Sequence, residues 1–200
     1  MTIVVDYDAG NLRSVETALE HIGSRFEVTA DPGRLAAAQR IIFPGVGDGA
    51  HAMRVLAERG LDRAMKERFA AGTPILGICV GCQIVLDRTE ERGADCLGLV
   101  PGVARRFPER VGKIPHMGWN AVSHDEEHWL FAGVPQESSF YFVHSYYPDP
   151  AEPGDAIAQT EYGVTFAAAI ERGSLVATQF HPEKSGEVGL RVLRNFLEAR

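Results

Sequence analysis

Short apolar runs alternate with amphipathic stretches through the first part of the chain. Apolar runs are typical of buried strands, and apolar residues three or four positions apart are typical of helices with one buried face. The runs predict strands at Thr2 to Asp6, Phe26 to Thr29, Arg40 to Phe43 and Ile75 to Ile78. The amphipathic stretches predict helices at Asn11 to Ile22, Gly49 to Arg59 and Leu61 to Ala71. This alternation predicts an α/β fold with a mostly parallel sheet flanked by helices.

From Gly98 onward the pattern changes to short β-like runs. They predict strands at Leu97 to Val100, Val103 to Phe107, Ser139 to Ser145, Ala156 to Thr160, Thr165 to Ile170 and Leu175 to Phe180. Because strands joined by short turns pair antiparallel, we expect an antiparallel extension of the sheet. A last helix is predicted at Glu187 to Glu198, where apolar residues recur along one side.

Composition and charge narrow the class of protein. The chain has 200 residues, 45% of them hydrophobic, which predicts one domain spanning residues 1–200. A net charge of −7 argues against nucleic acid or an anionic membrane as a partner. Three cysteines suit reduced thiols better than a disulfide framework. Strand-like residues begin at once, without the pattern of a signal peptide, so we expect a cytoplasmic protein.

The segment from Pro74 to Gln83 predicts a strand, a sharp turn and a helix start, with Cys79 at the corner. Glycines stand two residues before and two after it, as in a nucleophile elbow, where the neighbours of the reactive residue must be small. The amino end of a helix favours the thiolate form of a cysteine. Taken alone, the pattern is equally compatible with a buried cysteine in a glycine-flanked core strand.

A second group of candidate residues follows the predicted strand that ends at Phe180. His181 and Glu183 are two positions apart, with a proline between them. In extended backbone such residues project to the same side, so Glu183 is expected to orient the imidazole while its other nitrogen faces a nucleophile. Together with Cys79 they have the composition of a nucleophile, base and carboxylate for acyl transfer.

These motifs resemble the triad-type, or class I, glutamine amidotransferases, whose fold is flavodoxin-like. The resemblance implies that Cys79 attacks the side-chain amide of glutamine, forms a thioester and releases ammonia. It implies that the amides of Val46 and Val80 hold the oxyanion. It also implies a set of glutamine-binding residues: Gly45, Gly47, Gln83, His144, Ser145 and Tyr146. No cofactor or metal is expected.

Three further segments resemble the glutaminase subunits of imidazole glycerol phosphate synthases: Gly10 to Val15, Lys113 to Asn120 and Tyr141 to Tyr147. The resemblance implies a heterodimer with a cyclase subunit, which uses the ammonia to make imidazole glycerol phosphate and aminoimidazole carboxamide ribotide in histidine biosynthesis. The implied interface residues are Asn11, Lys113, Pro115, His116, Met117, Gly118, Trp119, Asn120 and Lys184.

Several alternatives remain open from the residues themselves. Met117 and Trp119 could be ordinary core residues, and the tyrosine-rich run could be a plain interior strand. The spacing of Cys79 and Cys82 is that of a redox pair, although the elbow and His181 have no place in that chemistry. A free-standing γ-glutamyl hydrolase, the glutaminase of another synthase and a non-catalytic binding module are competing functions.

Overall fold

A computed structural model of the protein describes residues 1–8 and 10–199; the predicted domain also includes Ala9 and Arg200, which lie outside the described residues. Its strands are β1 Thr2–Val5, β2 Phe26–Thr29, β3 Arg40–Gly45, β4 Ile75–Cys79, β5 Arg88–Thr89, β6 Gly102–Arg106, β7 His116–His124, β8 Ser138–His144, β9 Tyr146–Pro150, β10 Ala156–Glu161, β11 Thr165–Arg172 and β12 Leu175–Thr178. Its α-helices are α1 Leu12–Ile22, α2 Pro32–Ala36, α3 Gly49–Arg59, α4 Leu61–Ala70, α5 Val80–Ile84 and α6 Gly186–Glu198.

Within these residues the main sheet has nine strands in the order β2-β1-β3-β4-β12-β11-β10-β7-β8. Neighbouring strands from β2 through β1, β3 and β4 to β12 pair in parallel. Neighbouring strands from β12 through β11, β10 and β7 to β8 pair antiparallel. The α/β fold with an antiparallel extension is therefore confirmed. A smaller sheet of β5, β6 and β9 lies beside it.

Alternation along the parallel strands divides the core between the two faces of the sheet. Ile41 and Phe43 pack on one face with residues from α2, α3, α4 and α5. Ile42, between them, packs on the other face with residues from α1 and α6. Because successive side chains of a strand point to opposite faces, a strand covered on both sides reads as a continuous apolar run, as observed here.

The strand predicted at Leu97 to Val100 is wrong. This segment forms no strand, and its backbone amides donate to the last carbonyls around α5: Leu97 N to Ile84 O at 2.9 Å, and Leu99 N to Val85 O at 2.9 Å. The apolar side chains are buried because the segment covers the end of that helix, where carbonyl groups lack partners within the helix.

Strands β5, β7 and β9 and the short helix α2 were missed by sequence reasoning. In β7 the usual alternation is inverted, since His116 is buried while its neighbour Met117 is exposed. A strand whose outward positions are apolar gives no clear alternation of hydrophobicity along the sequence. No helix in the described residues is long and apolar enough to span a membrane.

Candidate active site

Cys79 lies at the junction of β4 and α5 with φ +56° and ψ −106°, a backbone conformation that residues with side chains rarely adopt. The glycines on both sides make this turn possible. A Cβ on Gly81 would overlap the carbonyl oxygen of Phe43, and a Cβ on Gly77 would lie 2.9 Å from the carbonyl oxygen of Gly81. The predicted elbow is therefore present, and its glycines are needed for close approach to the neighbouring strands.

The end of β3 lies against this elbow, with Gly45 opposite Cys79 in the parallel register. A Cβ on Gly45 would overlap the hydroxyl of Tyr7 and lie 3.0 Å from the Cβ of Val80. Gly45 is thus buried behind the elbow. The next residues, Val46 and Gly47, are partly exposed and line the cavity beside Cys79.

His181 and Glu183 form a buried pair next to this cysteine. Nδ1 of His181 donates to Oε1 of Glu183 at 2.7 Å, and neither side chain is exposed to solvent. The contact is the predicted one, but its geometry differs from the expected extended backbone. Pro182 begins a short 3-10 helix, Pro182–Lys184, which turns the carboxylate of Glu183 back toward the ring.

Two opposing effects set the protonation state of His181. Burial lowers the pKa of His181, but the negative charge of Cys79, together with the hydrogen bond and charge of Glu183, outweighs burial and raises it to about 10. The imidazole is therefore protonated at neutral pH. Among the described residues, its buried Nε2 makes no hydrogen bond of good geometry. An imidazolium close to a thiolate is the arrangement that activates a cysteine nucleophile.

Asn11 belongs to this group although it was predicted at a partner interface. Its Nδ2 donates to Oε1 of Glu183 at 2.6 Å. Asn11 precedes α1 with φ +64°, a conformation that asparagine tolerates, and its side chain makes no hydrogen bond to the helix amides that it could cap. The side chain is used instead to hold the carboxylate that orients His181.

A cavity of about 250 Å³ opens beside the sulfur of Cys79. Its lining includes both residues predicted for the oxyanion, Val46 and Val80, and five of the six predicted to bind glutamine: Gly47, Gln83, His144, Ser145 and Tyr146. Cys79, Glu91, Pro115 and Val143 complete the lining. Gly45 is not among the lining residues. The cavity is therefore the place where a small polar substrate would meet the sulfur.

Glu91 is a cavity residue that sequence reasoning missed. Its Oε2 accepts a 2.6 Å hydrogen bond from the amide of Gly49 at the start of α3. Burial raises the pKa of Glu91, and the hydrogen bond from Gly49 opposes this effect. A carboxylate in a small cavity is suited to an ammonium group. No local motif marks this residue, because the loop after β5 meets α3 only in the folded chain.

Gln179 is the second residue that was missed. It is completely buried, accepts a 2.9 Å hydrogen bond from Nε2 of Gln83, and donates from its own Nε2 to the sulfur of Cys79 at 3.7 Å. Gln83 also donates to the carbonyl oxygen of Tyr146 at 2.8 Å. The signal available in the sequence was the position of this polar residue, which directly follows the apolar run of β12 and stands two residues before His181.

The predicted partner segment is divided between surface and interior. Met117 and Trp119 are each 58% exposed, and Lys113 and Lys184 are exposed as well. The alternative that Met117 and Trp119 are core residues is therefore wrong. His116 is 3% exposed, so in this conformation its side chain is not available to a partner as predicted.

The redox alternative finds no support in the described residues. All three cysteines are free. Cys82 is completely buried in the cluster on one face of the sheet, while Cys79 packs in the cluster on the other face. Burial and the charge of Cys79 raise the pKa of the Cys82 thiol well above its ordinary value. No group of three or more metal-binding side chains occurs in the described part of the chain.

Known proteins match nearly the whole of this chain. The family model of class-I glutamine amidotransferases matches residues 3–199. The chain is 48% identical to the imidazole glycerol phosphate synthase subunit HisH of Desulfovibrio desulfuricans, over 99% of this chain and 94% of that protein. It is 50% identical to the subunit of the same name from Methylococcus capsulatus, over 97% of this chain and 94% of that protein.

Solved structures show the same fold at lower sequence identity. A PurLQS structure from Thermotoga maritima matches with a TM-score of 0.78 and 21% identity, covering 98% of this chain and 96% of that one. A glutamine amidotransferase crystal structure matches with a TM-score of 0.75 and 20% identity, covering 98% and 97%.

Proposed function

This chain belongs to the class-I glutamine amidotransferase family, and we propose that it is the glutaminase subunit of an imidazole glycerol phosphate synthase, which releases ammonia from glutamine for a cyclase subunit. The observation that carries the proposal is the buried pair of His181 and Glu183 close to Cys79, which itself lines a cavity of about 250 Å³. These are the groups that amide hydrolysis through a thioester requires.

In the proposed reaction the sulfur of Cys79 attacks the side-chain carbonyl carbon of glutamine as a thiolate. His181 holds the proton at the start, so it can donate that proton to the leaving nitrogen, and ammonia departs. The neutral imidazole then takes a proton from water, which attacks the thioester carbon. Glutamate leaves, and the thiolate and the imidazolium are restored. Glu183 stabilises the imidazolium and fixes its orientation throughout.

The oxyanion that forms during both steps requires hydrogen-bond donors. The amide of Val80 stands at the start of α5, next to the sulfur, and the amide of Val46 lies in the cavity-lining segment after β3. Removing one such donor typically costs about 3 to 4 kcal/mol of transition-state stabilisation. Gly47 has φ +95°, and glycine makes a rotation of the neighbouring peptide sterically easy. We therefore expect a low rate until the partner orders this segment.

Recognition of the amino-acid end of glutamine is assigned to polar groups that line the same cavity. Glu91 would pair with the α-ammonium group, because it is the carboxylate that lines the cavity. Gln83 uses its amide hydrogens within the protein, so its carbonyl oxygen is the group left for the substrate. Ser145 and Tyr146 would contribute backbone groups.

The partner surface is proposed to be the outer face of β7 and β8. Met117 and Trp119 project from β7, and Tyr141, on β8, lies opposite Trp119 with the ring centroids 6.0 Å apart. Exposed aromatic and methionine side chains are enriched where proteins associate. The carbonyl of Tyr141 accepts from the amide of His181 at 2.9 Å, so this surface lies close to the triad.

The test is glutamate release from glutamine by the chain alone, and then with a cyclase subunit and its nucleotide substrate. We expect strong stimulation by the partner, and loss of activity in the Cys79→Ala variant. Cys96→Ala is the matched control, because Cys96 lies outside the cavity. A high rate that the partner does not change would favour a free-standing γ-glutamyl hydrolase. Full activity of Cys79→Ala would overturn the proposed chemistry.

A further inference from the structure

A continuous line of hydrogen bonds joins β7 to the sulfur of Cys79. Near the triad it consists of Gln179 Nε2 to Cys79 Sγ at 3.7 Å, Gln83 Nε2 to Gln179 Oε1 at 2.9 Å, and Gln83 Nε2 to the carbonyl oxygen of Tyr146 at 2.8 Å. The same carbonyl oxygen is 2.7 Å from Nδ1 of His144. Two adjacent strands and the elbow are thus linked through side chains.

The line continues through a pair of buried histidines. Nε2 of His144 lies 3.0 Å from Nδ1 of His116, and Nε2 of His116 lies 3.5 Å from Nδ2 of Asn120. Phe142 and Tyr162 stack on the His116 ring at centroid distances of 5.0 and 4.1 Å. This packing fixes the ring plane.

The carbonyl oxygen of Tyr146 determines the direction of every bond in the line. A carbonyl can only accept, so both Nδ1 of His144 and Nε2 of Gln83 must donate to it. If Nδ1 of a neutral His144 carries the proton, its Nε2 accepts, and Nδ1 of His116 must donate to it. On the other side, Gln83 presents an N–H to Gln179, which must therefore turn its own NH₂ group toward Cys79.

Both histidines are suited to this arrangement because they are neutral. Burial lowers the pKa of His116 to about 4. Burial also lowers the pKa of His144, to about 3, and the nearby charges of His116 and His181 act in the same direction. At neutral pH each ring therefore carries one proton, and the hydrogen-bond line places it on Nδ1.

We propose that Gln179 is a positioning residue that holds the sulfur of Cys79 with a directed hydrogen bond. Its amide orientation is imposed by the carbonyl oxygen of Tyr146 through Gln83, and His144, backed by His116, holds that carbonyl in place. The role rests on the proposed glutaminase reaction. An N–H aimed at the sulfur stabilises the thiolate over the thiol and limits rotation of the side chain before attack. Gln179 itself touches neither cavity nor substrate.

The first test measures alkylation of Cys79 by iodoacetamide between pH 5 and 10 in the full chain, read from peptide fragment ions that separate Cys79 from Cys82. Gln179→Met keeps the length of the side chain and removes its hydrogen bonds. We expect the midpoint of the alkylation profile to rise by about one pH unit or more, equal to about a tenfold loss of rate at neutral pH. The matched control, Gln159→Met, changes an exposed glutamine on β10 and should leave the midpoint unchanged.

An unchanged midpoint in folded Gln179→Met protein would overturn the proposal, because a role in packing alone would lower stability without moving this profile. Iodoacetamide reports on the sulfur whether or not glutamine is the substrate. A failure of the proposed function would therefore leave this result intact, and the two failures are distinguishable.

The second test uses the unmodified chain and does not depend on the folding of a variant. The ¹⁵N chemical shifts of labelled histidine distinguish the Nδ1–H tautomer, the Nε2–H tautomer and the charged ring. We expect His116 and His144 to be neutral at pH 7, both with the proton on Nδ1. A proton on Nε2 of His144 instead would leave its Nδ1 unable to donate to the carbonyl oxygen of Tyr146, and would overturn the proposal that the histidines hold this carbonyl in place.

Discussion

Asn11 donates a 2.6 Å hydrogen bond to the same oxygen of Glu183 that accepts from His181. The residue stands just before α1 and was predicted at a partner interface, yet its side chain holds the buried carboxylate that orients His181. Movement of this residue on docking would therefore be transmitted directly to the orientation of His181.

Replacement of Asn11 should lower turnover more than substrate affinity. In Asn11→Gly the new residue also tolerates φ +64°, so the substitution removes only the side-chain hydrogen bond to Glu183. A hydrogen bond to a charged acceptor contributes about 1.5 kcal/mol or more. We expect about a tenfold loss of kcat in partner-stimulated glutamine hydrolysis. Asn11→Asp should lose more, because a second carboxylate would face Glu183.

Arg13→Ala is the control for this pair, because Arg13 is largely exposed and pairs with Glu16. Its kcat should stay at the level of the unmodified chain. Equal turnover of Asn11→Gly and Arg13→Ala would show that Asn11 does not support the triad.

Because His181 is protonated in the folded chain, we expect the stability of the protein to fall as the pH rises. The pKa of His181 is about 10 in the folded chain against an ordinary value of 6.5, so folding favours the protonated ring. Its contribution to the free energy of unfolding is present in full below about pH 6.5 and is lost as the pH rises toward 10. Urea titrations between pH 6 and 10.5 measure this decline.

Cys79→Ser is the matched variant for the pH experiment, since it removes the negative sulfur and leaves Glu183 in place. With one of its two charge partners gone, His181 should lose its proton at lower pH, which an NMR titration of the labelled ring records directly. Identical titration curves in both proteins would contradict the assignment of the thiolate as a cause of the raised pKa.

Gly81→Ala tests the elbow. The added methyl group would overlap the carbonyl oxygen of Phe43, which belongs to the central strand β3. Overpacking of this kind typically costs about 1 to 3 kcal/mol, and a backbone atom has little room to yield, so we expect a loss at or above the upper end. Thermal unfolding measures the change in Tm.

Gly154→Ala is the comparison for the elbow variant, because a Cβ at Gly154 meets nothing within 4 Å and the backbone there needs no positive φ. Its Tm should stay close to that of the unmodified chain. A Gly81→Ala protein as stable and as active as Gly154→Ala would show that the elbow can relax.

Trp119→Ala tests the proposed partner surface. A central aromatic residue of an interface typically contributes 2 kcal/mol or more, so we expect the Kd for the cyclase subunit to rise about thirtyfold. The Tm of the isolated chain should change little, because the side chain is 58% exposed. Titration calorimetry provides the Kd.

Trp129→Ala is the control for surface tryptophan, since Trp129 is 38% exposed and binds Glu171 away from β7. Its Kd should match that of the unmodified chain. If both variants bind equally well, the partner does not dock on the outer face of β7.

Features that depend on local pattern could be read from the amino-acid sequence. The parallel strands are apolar runs because both faces of the sheet are covered. The elbow glycines and the short spacing of His181 and Glu183 can be recognised directly in the sequence. The prediction of a strand at Leu97 to Val100 was wrong because an apolar, buried segment can equally be one that covers a helix end.

The set of distant residues that share the site is apparent only in the folded chain. Asn11, Glu91 and Gln179 come from three separate segments, and nothing local marks the first as a ligand of Glu183 or the second as a cavity residue. The inward side chain of His116 was likewise set by pairing of β7 with β8, which determines the face each residue occupies. Pairing and packing join residues far apart in the chain, and this information is not contained in any single stretch of sequence.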